Sequence, residues 1–93
     1  MLEYTLPAKY PNEVLDYKIN WARRLDNDSI QSATFAVQGS SSVEISSSSI
    51  SNNVTTVWLT GGAEGSYNKI EHQVTTTSGR TIVAVLTITI LKI

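Results

Sequence analysis

The chain has 93 residues, no cysteine, a single histidine and a net charge of −1 from 7 basic and 8 acidic side chains. That length fits one domain with a modest core, since a chain of this size hides only about 60–65% of the surface it exposes when unfolded. The missing cysteines exclude disulfide frameworks, thiolate metal sites and cysteine nucleophiles, and with no basic run longer than Arg23-Arg24 the footprint of a nucleic-acid binder is missing.

Residues 1–15 hold both prolines, Pro7 and Pro11, and show no sustained period. Each proline removes a backbone donor and biases the preceding residue towards extended backbone. The segment therefore reads as an extended N-terminal arm, with room for a helical turn only at Asn12 to Leu15. Its apolar anchors are Leu2, Tyr4, Leu6, Tyr10, Val14 and Leu15, the first four being candidate partner contacts. It lacks the basic and apolar regions of a signal peptide, so synthesis in the cytoplasm without export is expected. Residues 16–93 form the expected domain, and removing 1–15 is expected to leave it folded.

From Asp16 the pattern alternates, with Tyr17, Ile19 and Trp21 on one face, the period of a half-buried strand. Asp26-Asn27-Asp28 closes the next stretch as a turn cluster. A second strand runs from about Ser29 to Val37 with Ala33, Phe35 and Val37 inward. Ile30 is out of phase, which predicts a bulge near Gln31-Ser32. The serine-rich stretch from Gly39 to Ser51 reads as a short strand, a loop and a strand start, from the placing of Val43, Ile45 and Ile50.

Val54 to Thr60 is rich in β-branched and aromatic residues, with Val57 and Leu59 on one face and Trp58 and Val54 on the other. Gly61, Gly62 and Gly65 bracket a loop. A strand from about Tyr67 to Thr76 carries Ile70, His72 and Val74 on one face, and Ser78-Gly79 turns it into a hairpin with the last segment. In Arg80 to Lys92, Ile82, Ala84, Leu86, Ile88 and Ile90 share one face. Val83, Val85 and Leu91 give the other more apolar surface than a solvated strand needs, so a neighbour or the arm is expected to cover it. The stretch is interrupted by threonines and too short to span a bilayer as a helix, and no membrane partner is expected. Six or seven strands at this spacing indicate an all-β antiparallel sandwich or barrel.

Little here suggests chemistry. His72 lies mid-strand, Glu71 points to the opposite sheet face, and no second histidine exists for a triad. Asp26-Asn27-Asp28 lacks the glycine and later glutamate of a calcium loop, and Gly61–Gly65 lacks the lysine and helix of a phosphate loop. No enzyme activity, cofactor or metal is expected. Trp21 and Phe35 read as core, whereas Trp58 and Tyr67 are candidate exposed contacts.

Several blocks resemble a family. Lys9 to Trp21 (KYPNEVLDYKINW), Asp26 to Ile30 with Ala33 to Phe35, Val57 to Gly62 (VWLTGG) and Thr75 to Arg80 (TTTSGR) resemble, in order and spacing, small tailed-phage virion proteins that act as fibre–tail adaptors or head–tail connectors. Phe35 stands where a tryptophan is expected, and Ile82-Val83-Ala84 is apolar where relatives are often charged. The resemblance implies an immunoglobulin-like sandwich repeated in a ring-like homo-oligomer at the phage neck or tail, contacting portal or connector, tail tube or tail fibre proteins. The expected partner surface is the arm together with Trp58, Tyr67, Val83, Val85 and Leu91. A receptor- or carbohydrate-binding module, which needs Trp58, Tyr67 and the Gly61–Gly65 loop on one concave surface, and a capsid decoration protein are the alternatives.

Overall fold

The computed structural model describes residues 2–39 and 41–92, which leaves the first residue of the expected arm, the last of the expected domain, and Ser40 outside it. The elements are β1 (Leu2–Thr5), β2 (Leu15–Asn20), a single helical turn α1 (Ala22–Leu25), β3 (Ile30–Val37), β4 (Val43–Ser51), β5 (Val54–Gly61), β6 (Tyr67–Thr76) and β7 (Thr81–Thr89). They form two sheets, one in the order β1-β7-β6-β3 and one in the order β2-β5-β4. β1 runs parallel to β7, and the other pairs are antiparallel. The chain is an all-β sandwich.

Most of its core is the set that period 2 picks out. Tyr17, Ile19 and Trp21 from the β2 segment, Val57 and Leu59 from β5, Ile70 and Val74 from β6, and Ala84, Leu86 and Ile88 from β7 are all buried. Alternation works here because successive side chains of a strand point to opposite faces, so one register buries every second residue. The bulge expected in β3 is present, with the register against β6 shifting between Ile30 and Ser32. The β6–β7 hairpin closes as expected, with Gly79 at φ 92 and its N–H donated to the Thr76 carbonyl.

Three expectations change. Within the serine-rich stretch, Val43–Ser51 is one continuous strand, β4, because a register shift between Ile45 and Ser47 absorbs Ser46 and restores the phase that Ile50 needs. A helical turn forms at Ala22–Leu25, where the sequence suggests none, and the room for one at Asn12 to Leu15 is not used. Leu25, fully buried, holds α1 in place, and Asp26 and Asn27 leave it in the left-handed region that Asn and Asp tolerate. Finally, the N-terminal segment is part of the sandwich. β1 extends the four-stranded sheet, and the pairing continues past Pro7 through bonds from Leu6 N–H to Thr87 O, Lys9 N–H to Thr89 O and Leu91 N–H to Lys9 O.

Candidate interaction surfaces

The N-terminal segment is positioned by the groups it buries. Leu6 is in the core, and Leu2 and Tyr4 pack against it, Tyr4 edge-on to Trp21 with ring centroids 6.0 Å apart. These three expected arm contacts thus serve the chain's own interior, since β1 pairs with β7 and turns them inward. Tyr10 alone of the four is exposed, at 42%, on the turn where Glu13 N–H donates to its carbonyl.

Lys9 anchors the segment. Its side chain is buried, and Nζ donates to the carbonyls of Tyr10 at 2.8 Å and Gly61 at 2.6 Å. Burial lowers its pKa, and the Glu13 charge opposes that shift. Gly61 is followed by Gly62 at φ 106, where an added Cβ would stand 2.7 Å from Ile90 Cγ1. The backbone can therefore approach Ile90, just past the end of β7, only as glycine. Nearby, the Tyr17 hydroxyl donates to Pro7 O at 3.0 Å, and its pKa is raised by burial and then by the Glu13 charge.

The histidine is a core group. His72 stacks on Phe35 at 3.9 Å and meets Trp21 edge-on at 5.5 Å. Its Nδ1 lies 2.9 Å from Thr34 O, which can only accept, so Nδ1 carries the proton. Trp21 Nε1–H donates to Thr55 Oγ1, leaving the Thr55 hydroxyl to donate to His72 Nε2 at 2.9 Å. The network assigns a neutral imidazole, and burial lowers its pKa below the ordinary 6.5, the Thr34 bond opposing.

A neutral-favouring fold makes stability depend on pH with a definite sign. Below about pH 6.5 the unfolded chain takes up a proton that the folded chain resists, so stability is full above that pH and falls as pH drops through it. Thermal unfolding between pH 7.5 and 5 should show this decline, and His72→Gln should flatten it. An equal slope in both proteins would remove His72 as the cause.

Asp28 is committed to structure as well. Its carboxylate accepts from Ser78 N–H and Oγ–H, the Thr77 hydroxyl and Ser29 N–H, tying the α1–β3 loop to the β6–β7 turn. The hydroxyls of Ser78 and Thr76, with these other donors, hold it well below the usual carboxylate range. Among the described residues no group of three His, Cys, Asp or Glu could hold a metal ion, and no helix is long and apolar enough to cross a membrane.

The remaining expected contacts lie outside the core on different faces. Trp58, 39% exposed, projects from the outer face of β2-β5-β4 between Asp16 and Ser47. Tyr67, 61% exposed, stands on the outer face of the other sheet, because its neighbours Asn68 and Ile70 alternate inward. The two rings therefore do not form one concave platform with the Gly61–Gly65 loop. Val83 and Val85 are half-buried on the outer face of β7, Val85 lying between Glu3 and Glu71. Leu91, also half-buried, follows β7 where its N–H is bonded to Lys9 O.

Sequence reasoning passed over Lys9, Leu25, Thr55 and Asn68. Asn68, whose Oδ1 accepts from Ser42 N–H at 2.7 Å, and Thr55 both lie in phase with buried neighbours, so period 2 could have found them. No local pattern marks Lys9 or Leu25.

Together these groups define a small β-sandwich module whose buried titratable side chains Lys9, Tyr17 and His72 are bonded within the sandwich. The family model of the podophage GP4 fiber-tail adaptor protein gp77 matches residues 9–89, and the chain belongs to that family. No curated protein matches it. A solved structure of the secreted serine protease VesC from Vibrio cholerae is similar in fold, with a TM-score of 0.52 at 12% identity over 92% of this chain and 21% of that one. The chain thus spans about a fifth of that protein's length, and the likeness concerns the fold alone.

Proposed function

We propose that the chain is a non-enzymatic virion structural protein that links tail fibres to the tail, assembling in multiple copies as a ring-like homo-oligomer. The family match across residues 9–89 carries this reading. The partners it implies are tail fibre proteins together with portal, connector or tail-tube proteins, and its place is the virion neck or tail.

Three features support it. The buried polar groups Lys9, Thr55, Asn68 and His72 all have partners within the sandwich. The sheets β2-β5-β4 and β7-β6-β3 follow the strand order of an immunoglobulin sandwich, with the first strand moved across to β7, which supports an immunoglobulin-like domain, a fold of recurrent contact modules. The exposed Tyr10, Trp58 and Tyr67 and the half-buried Val83 and Val85 lie on several faces, as suits a part held between neighbours. Phage grown without this chain should give particles whose tails lack fibres, scored by negative-stain microscopy and adsorption. Fully fibred particles would overturn the proposal.

A further inference from the structure

The sandwich has two flanks, each exposing the edges of two strands. On one flank the edges are β1 and β2, which carry Glu3, Asp16 and Lys18. Charged side chains on an edge oppose pairing with another chain. The other flank consists of β3 and β4, and it is different. Its two strands carry one charged residue, Glu44 near the start of β4; β3 and the stretch from Ile45 to Ser51 have none, and every residue from Ser46 to Ser51 is exposed.

The hydrogen-bond phase shows which groups that edge offers. Trp21 N–H donates to Asn53 O, so the odd-numbered residues of β5 bond to β2 and the even-numbered ones to β4. Thr56 and Val54 therefore bond to Ser49 and Ser51, and the N–H and C=O of Ser48 and Ile50 point off the edge. Ile50 lies on the inner side of β4, opposite buried Thr55, yet is 40% exposed. Beside it a cleft of about 180 Å³ opens between the sheets, lined by Ala33, Phe35, Ser48, Ser49 and Ile50.

We propose that β4 is a strand-pairing seam and that its occupant is β4 of a second copy, antiparallel about a two-fold axis at Ser49. This rests on the multi-copy reading above and adds to it: an isologous contact closes at two copies, so the seam pairs copies while the contacts around a ring lie on other surfaces. In that register Ser48 of each copy faces Ile50 of the other, and these are the residues whose backbone groups point outward, so each such pair exchanges both N–H···O bonds. Side chains directly opposite share a sheet face, which sets Ile50 of one copy over the cleft beside Ser48 of the other. The same strand supplies the recess and the group that fills it, the self-complementarity an isologous contact requires. Two identical charged edges would bring like charges together, and the paired stretch from Ser47 to Ser51 has none, Glu44 lying outside it.

Sedimentation velocity on the full chain, from about 1 to 300 μM, should show a reversible dimer. Ser48→Pro removes only an outward N–H, which an edge strand tolerates, and Ile50→Lys sets a cation against the seam. Each should weaken association at least tenfold while the circular dichroism spectrum and melting temperature stay near wild type. Lys69→Gln, exposed on the outer face of the other sheet, should leave association unchanged. A wild type that stays monomeric throughout, or a dimer that both seam variants leave intact, would overturn the proposal. The assay uses the isolated chain, so its failure bears on the seam and not on the adaptor role.

Discussion

Replacing Trp21 with alanine is expected to remove about 3–5 kcal/mol of stability, the range for truncating a large buried aromatic. Trp21 is fully buried, touches Tyr4 and His72 edge-on, and donates its Nε1–H to Thr55. Its loss leaves a cavity where β1, β5 and β6 meet, and it frees Thr55 to reorient away from His72. A domain of this length has roughly 5–14 kcal/mol in total, so the variant should unfold at far lower urea or populate the unfolded state without denaturant. Trp21→Phe refills much of the space but not the hydrogen bond, and it should fall between the two. Urea titration followed by circular dichroism measures both. A midpoint for Trp21→Ala within the error of wild type would show that the core is not organised around this residue.

Deleting residues 1–15 should be as damaging, and here the structure reverses what the prolines suggest. The segment supplies β1, buried Leu6, the Lys9 ammonium and the start of β2. Truncating a buried leucine alone removes about 2–5 kcal/mol. The part-buried Gly61 carbonyl, left without the Lys9 donor, adds at most about 1–3 kcal/mol. Together these approach the whole stability of a small domain. The truncated chain is therefore expected to give the collapsed amide dispersion of an unfolded protein in a two-dimensional NMR spectrum. Dispersion like that of the full chain would show that the segment is a detachable arm.

The contrast marks what the sequence makes legible. β6 was readable to its ends, Tyr67 and Thr76, because β-branched residues alternate with polar ones and a turn follows. The β3 bulge was readable for a related reason, since Ile30 broke an otherwise regular phase. β1 was not, because four residues followed by a proline carry too little periodicity, and its pairing is set by β7, more than eighty positions away. α1 is one turn held by buried Leu25, and a single turn has no helical period to detect. β4 looked interrupted because serines fill the positions where alternation would show, and the bulge at Ser46 shifts the phase between Ile45 and Ile50.

The same reasoning applies to the surfaces. Val83 and Val85 were visible as an apolar surplus on a strand face, and they do face outward. Leu2, Tyr4 and Leu6 looked like a surplus as well, but the sandwich consumes them. A short apolar run beside a proline does not reveal whether its partner is its own domain or a neighbour. The buried ammonium of Lys9 was the least legible feature, because the Tyr10 and Gly61 carbonyls that hold it come together only in the folded chain.

The proposed role is that of a structural part seated between tail and fibre. It is tested most directly by a cryo-electron microscopy map of the particle at side-chain resolution. Density for the sandwich is expected in several copies where the fibres join the tail, with β1 in place on β7 and outer faces covered by neighbouring proteins. A map with every fibre attachment resolved and no sandwich density there would contradict it.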